Sequence, residues 1–472
     1  MKSQIALIVA SGLILSSGRA VIASAHWPQF RGPNSSGVAD DSKPPTVFGP
    51  GTNQLWKTEV SRGVSSPCVW GDHIFLTTVE DGKPTTLCVN RHDGKVRWRR
   101  TIAADLPQEI HKANHPASAT PATDGKSVVA YFATFGLLTY DFEGRELWRN
   151  PTPGLLARNG SGTSPAILDG RLVLNCDVED GKSFLAAFDP ATGKQLWRTP
   201  RPDFISSYTT PILWQHDGAA EIVIVGSLRV VGYGWNDGKQ RWSIGGTEAV
   251  SVCPTPVLGE GQLYVMSRSF GGMGLPAFAV FALASDKNGD GKISRAEAPR
   301  QLAEQGIFNA VDTDHDGFIV DQEWAESAAF LSKGEHGIFA LKPPGEGELS
   351  TNQVAWKHKK GVAPVSSPLF YRGRVYVVQD GGRLTCFQAK NGEKLFEQER
   401  LGVDGTYHAS PIAANGHVYF CSTRGTVTVI AAGDTLAVKA RNALGESIVA
   451  TPAIADDKLY VRTENHLFAF GR

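Results

Sequence analysis

"AAFDPATGKQLW", Ala186 to Trp197, reads as an apolar strand, a turn built from Asp, Pro, Thr and Gly, and a second strand that ends on an aromatic. Gly193 makes the tight turn at no steric cost, and Trp197, four residues on, is a large apolar plate able to dock on a neighbour. The same spacing recurs at Gly94/Trp98, Gly144/Trp148, Gly238/Trp242 and Gly392/Phe396. Working outward, each such unit opens with a Ser-Pro or Thr-Pro step and an apolar strand, at Pro67, Pro121, Pro165, Pro211, Pro256, Pro368, Pro411 and Pro452. The intervals are 54, 44, 46, 45, 112, 43 and 41 residues. A period near 45 residues that holds four short strands is the pattern of propeller blades. Eight steps predict an all-β, eight-bladed β-propeller.

The final unit, "TPAIADDKLYVRTENHLFAFGR", stops after three strands. A spare strand of the right type is "NQLWK" at 53–57, which predicts closure of the ring by the N-terminal part of the chain. Closure leaves no blade with an open edge. Trp98, Trp148, Trp197 and Trp242 are expected to be structural.

The long interval contains two acidic loops, "DKNGDGKISRAE" at 286–297 and "DTDHDGFIVDQE" at 312–323. In the first, Asp286, Asn288 and Asp290 fall at EF-hand positions 1, 3 and 5; Lys292 offers its carbonyl, Ser294 can hold a water, and Glu297 closes with two oxygens. In the second, Asp312, Asp314, Asp316, the Phe318 carbonyl and Glu323 repeat the order, while Val320 offers no side-chain ligand. The expectation is an EF-hand pair holding two calcium ions. The loop starts are 26 residues apart, which leaves room for one helix between them, a compact dockerin-like arrangement. Residues 286–326 carry ten acidic and four basic side chains, a net of −6 that two Ca²⁺ would reduce to −2. The second strand of blade five reads as "GQLYVMS" and its third as "HGIFALK", so the pair is a small α-helical insertion, 269–335, in blade five. The propeller then comprises 26–268 and 336–472. The insertion's loop belongs to the face on which the loops before the proline steps also open.

At the N-terminus, Lys2, an apolar run from Ile5 to Leu15, and Ala23-Ser24-Ala25 have the order of a secretory signal peptide, assigned to 1–25. The run is too short to span a bilayer, and no later stretch is apolar for long enough. The expected location is periplasmic or extracellular. Lys+Arg and Asp+Glu both number 47, which gives no reason to expect nucleic acid as a partner. Six cysteines in 472 residues are not a disulfide framework. Cys68 and Cys88 fall in one unit, and their pairing stays open.

The motif A-x-D-x-x-T-G-x-x-x-W starting at Ala187 resembles the docking motif of the quinoprotein-like β-propellers, the pyrroloquinoline-quinone-type repeat family. "WPQFRGPNSSG" from Trp27 resembles the mature N-terminus of a bacterial subgroup of it. The family includes quinone-dependent dehydrogenases and non-enzymatic members such as outer-membrane assembly propellers. The dehydrogenases characteristically carry two adjacent cysteines beside the cofactor, and no two cysteines are adjacent here, so pyrroloquinoline quinone is not expected. The resemblance implies an exported binding or scaffolding protein for an unknown protein or small-molecule ligand. The alternative is a quinone-dependent dehydrogenase, or a hydrolase, with its site at the channel mouth. Reading just before each proline step gives the candidate mouth residues: Arg62, His115, Asn159, Tyr208, Glu248, His408 and Glu446. "EIHKANH" holds Glu109, His111 and His115 but lacks the H-E-x-x-H order, and reads as a polar loop.

Overall fold

The computed structural model describes residues 25–104, 106, 110–111, 113–151, 159–178, 181–268, 275–304, 308 and 311–472. The predicted signal segment, up to residue 24, lies outside them. Eight four-stranded antiparallel sheets, one of them extended by a fifth strand, make the eight blades. In blade one the strands are Cys68–Trp70, His73–Glu80, Lys83–Asn90 and Val96–Thr101. The first strands of successive blades neighbour one another around the ring. Apolar side chains on both faces of the middle strands explain the stacking: Val129 and Leu137 of blade two meet Leu172, Leu174 and Phe184 of blade three in one cluster.

Blade eight has Ala453–Ala455, Lys458–Arg462 and His466–Phe470, and its outer strand is Gln54–Glu59 from the other end of the chain. Trp56 lies opposite Ala469, and Thr58 opposite Leu467. Closure by this strand therefore holds. The tryptophans dock across blades. A side chain on Gly193 would lie 2.6 Å from the Trp148 ring, and Gly94, Gly144, Gly238 and Gly392 face Trp56, Trp98, Trp197 and Trp356 in the same way. Each of these glycines has positive φ as well, so it is required twice over. The indole N–H groups of Trp56, Trp98 and Trp148 donate to Arg91, Phe142 and Pro190 carbonyls of the next blade at 2.8–2.9 Å.

Trp242 departs from this pattern. It is fully buried in its own blade, packs on Gly232, and donates to Glu221 at 2.6 Å. Blade five has no glycine turn to receive it. Instead, the loop after Gly337–Leu341 sends Gly347–Glu348 back to pair in parallel with Trp242–Ser243, covering the edge of blade four.

The hydroxyl before each proline has its own function. The backbone N–H of Ser66 donates to Thr120 Oγ1, Thr120 to Ser164, Ser164 to Thr210, Thr210 to Thr255, Thr255 to Ser367, Ser367 to Ser410, and Ser410 to Thr451, at 2.9–3.4 Å. These seven buried bonds form a girdle that runs from the approach to the innermost strand of blade one round to that of blade eight. The following proline has no N–H of its own to satisfy at this crowded radius.

The stretch beginning "WPQFRGPNSSG" is a floor across the ring. Trp27 pairs with Val69 of blade one, and the Pro28 carbonyl accepts from Thr123 of blade two at 2.8 Å. Gln29 accepts from Ile167 of blade three, and Asn34 exchanges two 2.8 Å bonds with Leu213 of blade four. Arg31 donates to the Pro368 carbonyl at blade six, and Gly37 and Ala39 bracket Ala413 of blade seven. This face is that of the turns between first and second strands, since His26 accepts from Gly71 and Asp457 from Lys43 there.

Cys68 and Cys88 both pair with Phe75, from opposite sides. Two strand spacings, roughly 10 Å, separate them, beyond disulfide reach. All six cysteines are free thiols.

Candidate calcium centre and channel mouth

Between the second and third strands of blade five, Gln262–Ser267 and Gly337–Leu341, lies the acidic pair. Helix Phe278–Ser285 leads into the first loop and helix Asp321–Ser332 leads out of the second, with helix Arg300–Glu304 between them. The loops join through Ile293–Ser294 and Phe318–Ile319, with Ile293 directly opposite Ile319. Both isoleucines are fully buried with Phe278, Phe308, Val311 and Trp324, a core of their own.

Each loop is folded around its carboxylates. Asp312 accepts from Gly317 N–H at 3.1 Å, Asp314 from Asp316, and Asp316 from Phe318. Glu323 accepts from Thr313 and Val320 N–H at 2.7 and 3.1 Å, which swings its carboxylate over the loop. Gly317, at φ 90°, makes the sharp turn. Ligand oxygens of Asp312, Asp314 and Glu323 lie within 4.8 Å of one another. Asp312 Oδ1 is buried without a hydrogen-bond partner. An orphaned carboxylate oxygen converging with two other carboxylates fits a hard, oxygen-seeking divalent cation. In the first loop Asp286 accepts from Gly289 and Gly291 at 2.7 and 2.9 Å, Asn288 from Asp290, and Asp290 from Lys292. Ser294 donates both N–H and hydroxyl to Glu297, and these bonds hold that carboxylate below its ordinary range.

The insertion rejoins the propeller beside the loop that leads into blade five: Glu335 N–H donates to the Thr247 carbonyl at 2.9 Å, and its carboxylate pairs with Lys357. On that face the candidate mouth residues do not form one cluster. Arg62 is exposed and pairs with Glu464 at 3.7 Å. His115 accepts from Ala117 N–H on Nδ1 at 3.1 Å, and neighbouring Asn114 donates to the Asn159 carbonyl at 2.7 Å. His408, before blade seven, is half-buried, and Asp380 and His111 of the loop before blade two act on its charge. Tyr208 is in the wall, packed on Gly162 and lining a cavity of about 10 Å³, the space of one water, with Tyr131 and Cys176. Glu248 is buried, with its N–H and C=O bonded to Ser267 and Leu228. Glu446 is turned along blade eight, toward Lys57 at 3.9 Å and His466 at 2.5 Å. Glu109 lies outside the described residues, and no group of three metal-capable side chains converges at the mouth among those described.

Sequence reading missed Arg462. It is fully buried and donates to the carbonyls of Ser61, Ser65 and Thr77 and to the Ser65 hydroxyl, at 2.6–3.2 Å, locking blade eight to blade one. Gly63 leaves room for it, since a Cβ there would lie 2.4 Å from Nη2. The one signal was a basic residue closing an apolar strand.

Burial, then the charges of Arg462 and Arg62, push His115 down to about 4, and burial lowers His408 too. The folded chain thus keeps His115 neutral where an unfolded chain protonates it, near 6.5. Stability contributed at neutral pH is lost as pH falls through that window. His115→Asn is expected to be about 1–2 kcal/mol less acid-sensitive than wild type between pH 7 and 4.5, with partial exposure taken into account. Unfolding midpoints of both proteins across that range provide the check; parallel curves would mean His115 is protonated at no cost in the fold.

Fold and centre together define a class: an eight-bladed propeller with an EF-hand pair set into blade five. A family model described as "Outer membrane protein assembly factor BamB" matches residues 88–284, and one described as "EF hand" matches 284–297 and 304–326. The chain is 24% identical to "Outer membrane protein assembly factor BamB" of Yersinia pestis, over 62% of this chain and 81% of that protein. The solved structure of BamB from Moraxella catarrhalis superposes with a TM-score of 0.52 at 11% identity, covering 88% of this chain and 98% of that one. A europium-containing methanol dehydrogenase superposes with a TM-score of 0.63 at 9% identity, covering 95% and 98%. Over residues 88–284 the chain thus resembles the outer membrane assembly factor BamB, and over the two acidic loops it resembles EF hands. No helix among the described residues is long and apolar enough to cross a membrane.

Proposed function

We propose that the chain is an exported scaffold that binds a protein partner at the channel mouth, beneath an EF-hand pair loaded with two calcium ions. One observation carries this reading: residues 27–39 floor the ring on one face, and the insertion emerges on the other, beside Thr247. Among the described residues, the mouth is the face left for a ligand to approach the axis. The proposed ligands of the first ion are Asp286, Asn288, Asp290, Glu297 and the Lys292 carbonyl, with Ser294 through water; those of the second are Asp312, Asp314, Asp316, Glu323 and the Phe318 carbonyl. A relative that is an outer membrane protein assembly factor supports a protein partner and a location outside the cytoplasm.

Dehydrogenase relatives favour the second reading, but likeness of fold does not carry activity. The cysteines do not fit the quinone: they are distributed over blades one, three, six and seven and the loop before blade five, and none adjoins another. A photo-crosslinking residue at position 62 is expected to capture a protein partner that the same residue at Leu196, on the rim, does not. Alcohol oxidation on adding pyrroloquinoline quinone and calcium would instead establish the dehydrogenase reading.

A further inference from the structure

Helix Phe278–Ser285 is covered on one side only. Phe278 and Ser285 are buried, and Phe281 stacks on Trp324 with ring centroids 4.0 Å apart. On the other side Leu283 is 88% exposed and Val280 59%, and Ala277, Ala279 and Ala284 are exposed beside them. The spacing of Ala277, Val280, Leu283 and Ala284 places them on one face. No charged residue occurs from Leu275 to Ser285. An outward-facing helix side normally carries polar groups. The other exposed large hydrophobics among the described residues, Val47, Leu55, Leu147 and Leu196, come from separate elements, and single exposures need no explanation.

We propose that this face is a calcium-dependent docking surface for an anionic lipid bilayer. The inference rests on calcium occupying the loops, as in the reading above. Shape disfavours a protein occupant: a convex face one helix wide offers far less than the roughly 800 Å² per partner of a stable protein interface. A bilayer sets no such minimum, because a helix lying in the headgroup plane buries its apolar side directly. Charge selects the lipid. The loop that follows the helix, 286–297, sets Asp286, Asp290 and Glu297 against Lys287, Lys292 and Arg295, a net of zero that one Ca²⁺ makes +2. The second loop, 312–323, has five acidic and no basic residues and stays at −3 when loaded. Calcium thus makes the end of the insertion next to the apolar helix positive, where attraction to anionic headgroups is worth about 1 kcal/mol per charge. Without calcium the first loop is neutral and the second carries −5, so the insertion has no positive end to attract anionic headgroups.

Flotation with vesicles of phosphatidylcholine, with or without 30% phosphatidylglycerol, tests this on the full chain, in 1 mM calcium or in chelator. Binding is expected only with the anionic lipid and calcium together. Leu283→Asp should lower the bound fraction at least tenfold while calcium titration, read by calorimetry, is unchanged. Calcium binding without vesicle binding would overturn the docking surface and leave the calcium sites standing. Undiminished binding by Leu283→Asp, or binding in chelator, would overturn the mechanism. Absence of calcium binding would remove both readings. A calcium-dependent dimer that Leu283→Asp abolishes, seen by light scattering, would make the occupant a second copy and overturn the lipid.

Discussion

Deleting residues 27–59 is expected to yield aggregate in place of a monomeric propeller. The deletion strips the outer strand from blade eight, leaving the His466–Phe470 edge unpaired beside the buried rings of Tyr460, Phe468 and Phe470. It also removes Trp56, which is 7% exposed and docks on Gly94 of blade one. Truncating one buried tryptophan costs about 3–5 kcal/mol, within a total stability of about 5–15. The floor goes as well, with its bonds to six inner strands or their approaches and the fully buried Trp27. A second variant separates the two effects: replacing 27–39 with a Gly/Ser segment of equal length keeps Gln54–Glu59 in place. That protein should remain a monomer with a lowered melting temperature. Size-exclusion chromatography with light scattering and thermal unfolding measure both. A deletion protein that is monomeric and melts like wild type would mean that the ring closes without its N-terminal strand.

What the sequence made legible was local. A turn glycine, a tryptophan four residues on and a hydroxyl-proline step repeat within one blade, so the period and the eight blades can be counted from the residues alone. The calcium loops are contiguous dodecapeptides whose ligand order is written in twelve letters. Closure was legible because a three-stranded last unit leaves one strand owing. What stayed hidden depends on groups that meet only after the ring has closed. Arg31 and Pro368 are 337 residues apart, and Arg462 reaches Ser65 across 397. The hydroxyls before the prolines were visible, but their acceptor function links one blade to the next and leaves no local trace. Trp242 shares the spacing of its fellows and lacks their partner, because the next blade, which carries the insertion, has no turn glycine to receive it. The mouth residues were chosen by position in the loops, and position does not fix direction: Glu446 faces Lys57 and His466 along its blade, while the His115 ring accepts from Ala117 N–H in its own loop.

Removing calcium is expected to loosen residues 275–335 and leave the eight blades folded. In the second loop three carboxylates converge within 4.8 Å. At an effective dielectric of 20–40, each such pair of like charges costs roughly 2–3 kcal/mol, and only a cation among them reverses the sign. The insertion has little with which to resist: its core is one small cluster around Phe278, Ile293, Ile319 and Trp324. A module of this size without a metal is marginal. Its loss need not spread. Ser267 and Gly337 face each other in register at the base, with Met266 opposite Ile338, so the strands that flank the insertion are already paired within blade five. Melting the insertion turns a folded excursion into a longer loop, and loop length enters the closure entropy only logarithmically. Hydrogen exchange in calcium and in chelator resolves the outcome by segment: protection should fall between 275 and 335 and hold at Gln262–Ser267 and Gly337–Leu341. Glu323→Gln in calcium should reproduce part of the loss, since its single amide oxygen cannot close the second loop with two oxygens or accept from both Thr313 and Val320, which donate to different carboxylate oxygens. Loss of protection across all blades would make calcium a condition of the propeller itself; loss nowhere would mean that the apolar core alone holds the pair. Only a loss confined to the insertion makes the ion a local organiser of the surface above the mouth, set on a ring whose stability does not depend on it.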